Sequence, residues 1–478
     1  MRDATDSVEF VSQLRELLGP DSLRTGPDDL APLLADHRQL FRGRAAALAL
    51  PDSTAEVSRL LAFCNTHRIS VVPQGGNTGY CGGATPDESG TALLLSLRRM
   101  RRIRAVNADD FALVADAGCT LAEVQVAAEG ADRYFPLSLG SEGSCQIGGN
   151  LATNAGGTAV LRYGMMRDLT LGIEAVLADG SVISQLAPLR KDNTGYDLRQ
   201  LLIGSEGTLG IITAACLKLF PAVRARATAW ISVASADQAL SLLALLRERS
   251  ADRLVTCELV PQAALDLVLQ HIPAARDPGI AAAPWYLLVE LASSGDDDMD
   301  GLLQAALAQA LERDLVLDAA LARNGAQRED FWRLRESVPA AQRVAGASLK
   351  HDISVPVARI PEFIRRGSAL VEQHIPEGFL VAYGHIGDGN LHFNVNQRPG
   401  ADSPSFLACE APLKRAVHDL VASMGGSFSA EHGIGQLKVA ELERYAQPAE
   451  LAAMRAIKHA LDPNGILNPG KVLRSTPP

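Results

Sequence analysis

Two glycine-dense segments in the N-terminal half constrain this 478-residue chain more than any other feature. The first, Val71-Val72-Pro73-Gln74-Gly75-Gly76-Asn77-Thr78-Gly79-Tyr80-Cys81-Gly82-Gly83, follows a helical stretch and the strand-like run 69–72. The second spans Gly140 to Gly157 and contains Ile147-Gly148-Gly149-Asn150 and Thr153-Asn154-Ala155-Gly156-Gly157. Backbone free of side chains can turn successive N–H groups into one concavity, a nest suited to phosphate. Two such nests, with Asn and Thr donors interleaved, can hold one diphosphate from opposite sides. The familiar nucleotide fingerprints are absent: there is no GxxxxGK[ST], and the triplets Gly387-Asp388-Gly389 and Gly433-Ile434-Gly435 lack a third glycine at the required spacing. A Rossmann NAD site and a P-loop are therefore disfavoured.

Length and composition bound the rest. The chain is long enough for about three domains, and 47% apolar residues fill more than one core. A formal charge of −10 argues against nucleic acid or an anionic membrane as the main partner. The seven cysteines never form a CxxC pair, which favours a reducing compartment. No apolar run reaches the roughly 20 residues of a transmembrane helix, and the acidic start matches neither a signal nor a transit peptide. A cytoplasmic protein is expected. Short apolar strands alternate with helices over 45–221, and strand-like segments (Ala229–Val233, Leu254–Leu259, Trp285–Leu291) each precede a helical pattern. The expected class is α+β, with boundaries near 222 and 424 and, over 223–424, an antiparallel sheet with helices on one face.

The first loop, Gly143-Ser144-Cys145-Gln146-Ile147-Gly148-Gly149-Asn150, Lys191-Asp192-Asn193-Thr194-Gly195-Tyr196-Asp197 and Gly204-Ser205-Glu206-Gly207-Thr208-Leu209-Gly210-Ile211-Ile212 resemble the FAD-binding domain of the vanillyl-alcohol oxidase/p-cresol methylhydroxylase superfamily. The second half resembles the FAD-linked oxidase C-terminal domain, and within the group the likeness is greatest to the D-2-hydroxyglutarate dehydrogenase family. That likeness implies that 1–222 is a two-part cofactor-binding domain, that 223–424 is the substrate domain and that 425–478 returns to the cofactor. The resemblance implies FAD between the two loops, against Gln74, Gly75, Gly76, Asn77, Thr78, Gly79, Gly140, Ser144, Gly148, Gly149, Asn150, Thr153, Asn154, Gly156 and Gly157, with Glu206, Gly210, Ile211 and Ile212 beside it and Asn468 near its ring. No histidine lies between His67 and His271, so noncovalent FAD is expected.

The segment Tyr383-Gly384-His385-Ile386-Gly387-Asp388-Gly389-Asn390-Leu391-His392-Phe393-Asn394 carries an Asp-Gly pair between strand-like flanks, a hairpin signal. A two-residue turn at Asp388-Gly389 would set His385 opposite His392 and Tyr383 opposite Asn394, with paired Cβ atoms about 5 Å apart. Two imidazoles can then grip one ion. A third ligand is offered by Glu431 or His432, which spacing does not distinguish; three protein ligands and one open position are characteristic of catalytic zinc. The resemblance assigns His385, His392 and Glu431 to a divalent metal, zinc in first place, and leaves His432 as the catalytic base. Asp296-Asp297-Asp298-Met299-Asp300-Gly301 imitates the start of an EF-hand, yet the twelfth position is Leu307, and a helix start is the expected role.

The resemblance also places Arg335, Lys350 and Asn394 on the substrate carboxylates, with Tyr383 on the hairpin beside them. Where the family has threonine four residues after the arginine, this chain has Pro339, which supplies neither hydroxyl nor N–H. The expected function is FAD- and metal-dependent oxidation of a D-2-hydroxy acid, first of all D-2-hydroxyglutarate, to the 2-oxo acid. D-lactate, glycolate or D-malate are alternative substrates, and a zinc hydrolase is the alternative from another class. The expected partners are the small 2-hydroxy acid, an electron acceptor such as an electron-transfer flavoprotein or a quinone, and a second copy of the chain in a homodimer.

Overall fold

The computed structural model describes residues 4–475. The chain divides into two units, one of residues 1–156, 164–222 and 431–478, the other of 157–163 and 223–430.

The first unit is built on two sheets. In one, strands Leu23–Arg24, Ala47–Ala49, Leu93–Ser96 and Val71–Gln74 lie side by side in that order, the last three parallel. Pro73 is tolerated because Val71–Gln74 is the edge strand. Residues 466–468 pair with that edge: Val71 N–H donates to Ile466 O and Asn468 N–H to Val71 O, each at 2.8 Å. Helix Ala4–Leu18 buries Phe10, Leu14 and Leu18, a spacing of four that keeps them on one face. The second sheet is antiparallel, in the order Ile103–Asn107, Ala112–Asp116, Ile211–Lys218, Thr170–Val176, Val182–Gln185. The expected α+β class is what forms, with two sheets in this unit.

The second unit is an eight-stranded antiparallel sheet, ordered Asp318–Leu321, Ala225–Val233, Trp285–Ser293, Leu254–Pro261, Gly378–His385, Asn390–Gln397 and Ser348–Leu349, with Asp352–Ser354 also paired to Asn390–Gln397. Alternation sorts the side chains. Ala229, Ile231, Leu287, Val289, Leu259, Leu391, Phe393 and Val395 are buried under helices Ala236–Ser250, Met299–Glu312, Ile360–His374 and Glu410–Ser423, the expected helical layer. Trp230, Tyr286, Leu288 and Val381 are buried on the other side with three shorter helices, Gln262–His271, Gly325–Glu336 and Val338–Ala345, which add a partial second layer. Each buried Val, Leu, Ile or Phe of these contributes about 1.5–3 kcal/mol. The EF-hand imitation is a helix start: Asp298 caps Met299–Glu312, accepting Gly301 N–H at 2.8 Å.

The hairpin differs from expectation in register. Its loop holds four residues, 386–389, so His385 pairs with Asn390, Tyr383 with His392, and Val381 with Asn394. The reason is local. Gly389 N–H turns back to His385 O, the Asp388 carboxylate accepts Asn390 N–H at 3.1 Å, and Gly389 takes φ 89°. The slip is two residues, and because strand faces alternate with period two, every side chain keeps its face.

Candidate active site

The glycine loops of the first unit do enclose space. A cleft, open to solvent on one side, is walled by Gln74–Gly79, Gly148–Asn150, Thr153, Glu206, Gly210–Ile212 and His432. At Gly79 and Gly149 an added Cβ would meet nothing within 4 Å, so these backbones face open room. At Gly76 it would stand 2.0 Å from Ser144 O, which shows how closely the two loops meet. Gly148 allows the helix Ile147–Ala152 to sit on Ala117, whose carbonyl accepts Gly148 N–H at 2.8 Å.

The cleft fits a large polar cofactor with an apolar part. Gln74 donates from Nε2 to Leu33 O and Ala84 O, which fixes its amide orientation and leaves buried Oε1 without a partner among the described residues. A buried orphan acceptor at a cleft wall is a place for a ligand donor. Leu95 and Leu97 also line the wall without belonging to any sequence motif, and reach it because the strand Leu93–Ser96 ends there; Cys81, Cys145 and Gln146 line it too, inside the quoted glycine-rich motifs but not named among the FAD residues.

Other residues expected at FAD stand behind the wall. Asn468, at φ 43°, donates to Gly83 O and Glu206 O and so ties two wall segments together, while its Oδ1 is a second buried orphan. Asn154 accepts Arg167 N–H at 2.9 Å. Gly140, Ser144, Gly156 and Gly157 do not line the cleft. His432 does, and its ring stands edge-on to Tyr80, centroids 4.7 Å apart. Glu431 and His432 have ligand atoms within 4.8 Å of each other.

In the second unit the hairpin sorts polar from apolar with unbroken alternation: Asn390, His392, Asn394 and Asn396 on one face, Leu391, Phe393 and Val395 on the other. His392 is flanked in register by Tyr383 on one side and Asp352 on the other. Its ring centroid is 5.0 Å from Tyr383 and 6.1 Å from His385, now a diagonal neighbour. Asp352 and His392 present ligand atoms within 4.8 Å of each other, a pairing not foreseen from sequence.

Glu258 organises this face. Its Oε1 is 2.5 Å from His385 Nδ1 and its Oε2 accepts Arg335 Nε–H at 2.7 Å. Burial pushes the carboxyl upward, but the charges of His385 and Arg335 outweigh it and hold it down at about 2. An ionised carboxylate only accepts, so His385 Nδ1 carries a proton and the contact fixes which way the ring faces. This is the arrangement by which a carboxylate orients a metal-binding imidazole. Arg335 lies with its Cζ 4.8 Å from the Tyr383 ring centre, and its Nη atoms make no hydrogen bond to a described residue. Asn394 is internally engaged, accepting His351 N–H at 3.2 Å and donating to Gln342 Oε1 at 3.0 Å. Lys350 is exposed, in the break between Ser348–Leu349 and Asp352–Ser354. Pro339 sits in the first turn of Val338–Ala345, where its missing N–H is harmless.

Comparison with known proteins gives this chemistry a family. Residues 45–185 match the FAD binding domain, and residues 222–472 match the C-terminal domain of FAD linked oxidases. D-2-hydroxyglutarate dehydrogenase, mitochondrial, of Arabidopsis thaliana is 37% identical over 467 residues, covering 97% of this chain and 81% of the relative. The Bos taurus protein of that name is 38% identical over 461 residues, covering 96% and 82%. D-2-hydroxyglutarate dehydrogenase of Xanthomonas citri is 36% identical over 453 residues, covering 95% and 94%. Among solved structures, p-cresol methylhydroxylase with substrate bound superimposes with a TM-score of 0.78 at 16% identity (99% of this chain, 98% of that one). Alkyldihydroxyacetonephosphate synthase does so with 0.72 at 17% (97% and 84%); at these identities both speak for the fold.

The chain is therefore an FAD-linked oxidoreductase that shares its fold with p-cresol methylhydroxylase. Within that class it belongs to the D-2-hydroxyglutarate dehydrogenase family of FAD-linked D-2-hydroxy acid dehydrogenases. This displaces the zinc hydrolase alternative. It also corrects the expected location: the relatives from Arabidopsis thaliana, Bos taurus, Danio rerio and Rattus norvegicus are named mitochondrial, which points away from the cytoplasm. Widely spaced cysteines with no CxxC pair argue for a reducing compartment, and that criterion does not separate the cytosol from a mitochondrial matrix. Among the described residues no helix is long and apolar enough to cross a membrane.

Proposed function

We propose that this protein oxidises D-2-hydroxyglutarate to the 2-oxo acid, with His432 as the base. The observation that carries the reading is the position of His432 on the wall of the cleft formed by the two glycine loops. Bound there noncovalently, FAD supplies the two-electron acceptor for the hydrogen on C2. A divalent cation, with zinc the first candidate for imidazole and carboxylate donors, supplies Lewis acidity that favours ionisation of the substrate hydroxyl. His385, His392 and Glu431 are proposed as its donors, with Glu258 fixing the ring of His385.

The chain's own residues do the rest. His432 takes the hydroxyl proton as the C2–H bond breaks, so its imidazole must start neutral. Arg335, aimed by its Nε contact with Glu258, keeps its two terminal nitrogens for a substrate carboxylate, the fork that suits a planar anion. Tyr383, Lys350 and Asn394 are proposed to complete the substrate site; for Asn394 this means exchanging its contact with Gln342. Oxidation releases two electrons and two protons per substrate. Reoxidation falls to an electron-transfer flavoprotein or a quinone, and a homodimer is the proposed assembly.

A second reading, D-lactate or glycolate as the preferred substrate, is favoured by Pro339, which has no hydroxyl for a distal carboxylate, with D-malate, itself a dicarboxylate, as an additional substrate. Turnover of the four acids with an artificial electron acceptor decides between them. The proposal expects kcat/KM for D-2-hydroxyglutarate to exceed that for D-lactate and glycolate at least tenfold; the reverse order would transfer the assignment to a short monocarboxylate.

A further inference from the structure

Glu206 belongs to the motif expected to touch FAD, yet its carboxylate is engaged elsewhere. Oε1 accepts Ile434 N–H at 2.7 Å and Oε2 accepts Gly435 N–H at 2.8 Å. Both amides lie just beyond His432 in the chain. Gly433, at φ 72°, passes so close that an added Cβ would lie 2.7 Å from Oε1. The same turn is gripped from the first glycine loop: Cys81 Sγ–H donates to Gly433 O at 3.4 Å, Cys81 O accepts Gln436 N–H at 3.0 Å, and Gln436 Nε2 donates to Gly82 O. An added Cβ on Gly435 would lie 2.1 Å from Cys81 O.

Glu206 is held in this role at some expense. Its φ is 52°, in the left-handed region where glycine is at ease and glutamate is not. Burial raises its carboxyl above the ordinary range, offset in part by the two amides and by Lys438. Its backbone is anchored at both ends, N–H to Ala152 O at 2.8 Å and C=O to Asn468 Nδ2. Strain and desolvation kept together at one residue of a cofactor cleft point to function.

We propose that Glu206 is the positioning residue for His432: its carboxylate, clamped on the amides of Ile434 and Gly435, sets where the imidazole stands on the cleft wall. A carboxylate bonded to two N–H groups fixes a turn in two directions, which a single contact does not. The proposal deepens the reading of His432 as the base and rests on it.

The test is Glu206→Gln in the holoenzyme, since an amide keeps the size of the side chain but offers one acceptor oxygen to two donors. Flavin content and KM should stay within about threefold of wild type, while the rate of flavin reduction by D-2-hydroxyglutarate falls by roughly a hundredfold, as misplacement of a reacting group allows. Hydrogen exchange of the peptide containing Ile434 and Gly435 should accelerate at least tenfold. In a His432→Ala background, Glu206→Gln should add less than a twofold further loss, because one residue acts through the other. Loss of FAD with unchanged exchange in that peptide would overturn the proposal and make Glu206 a cofactor ligand. Independent, multiplicative losses in the double variant would overturn it as well. A His432→Ala enzyme as fast as wild type would instead remove the base assignment and with it the catalytic half of the proposal, while the exchange measurement still decides whether Glu206 holds the turn.

Discussion

At the scale of residues, the active-site face depends on carboxylates placed where they must be paired. Glu258 stands alone among apolar neighbours in Leu-Val-Thr-Cys-Glu-Leu-Val-Pro, a strand buried along its whole length. That solitary charge was the available signal, and it went unread because its partners, Arg335 and His385, lie far along the chain. Glu258→Ala leaves Arg335 buried and unpaired and is expected to destabilise the second unit by about 3–5 kcal/mol, read as a lower urea midpoint. Glu258→Gln should fold but hold zinc about 10–100-fold more weakly by competition with a chelator. The thiols provide a separate check. Burial pushes Cys64 and Cys119 up to about 12 and Cys216 to about 11, so all three remain protonated and unreactive at pH 8, whereas Cys409 is only half-buried. DTNB should therefore label Cys409 first in the native enzyme and all seven after denaturation. Rapid native labelling of Cys64 or Cys119 would contradict the burial.

Among the elements, the glycine loops were legible because turns alone rarely need such density, and the structure separates glycines that admit a neighbour from those that face open room. Gly76→Ala collides with Ser144 O and should lower the melting temperature even of FAD-free protein. Gly149→Ala meets nothing within 4 Å and lies inside helix Ile147–Ala152, so the FAD-free protein should be as stable or more, by up to ~1 kcal/mol, while FAD binds more weakly because the new methyl enters the cleft. Flavin titration and thermal melts of both variants check this pair; similar behaviour of the two would mean the loops are not wall and joint as described. The hairpin was legible by face and not by register. Its alternation fixed which side chains share a surface, but loop length is set by how Asp388 and Gly389 turn, and a two-residue slip leaves the pattern of faces unchanged. Asp352, brought beside His392 by a separate short strand, could not be read from hairpin spacing at all.

For the molecule as a whole, the α+β architecture followed from strand and helix periodicity, and the contact pattern adds a detail that composition hides. Residues 157–163, the end of a glycine motif, belong with the second unit: Thr158 O accepts Thr256 Oγ–H at 2.6 Å, Arg162 donates to Ala292 O, and Leu161 packs at Gly387. Location was not legible, since cysteine usage reports redox state and not the membrane that encloses it. FAD, a divalent cation and His432 are proposed to act in one reaction. Chelation should abolish turnover without releasing flavin, and zinc should restore it. The most direct test is anaerobic stopped-flow mixing of the FAD-loaded, zinc-replete protein with each enantiomer of 2-hydroxyglutarate, following flavin absorbance. The account predicts bleaching by the D-enantiomer within seconds, none by the L-enantiomer, and at least a thousandfold slower bleaching in His432→Ala with FAD still bound. Unchanged absorbance with the D-acid, or equal rates in the His432 variant, would contradict it.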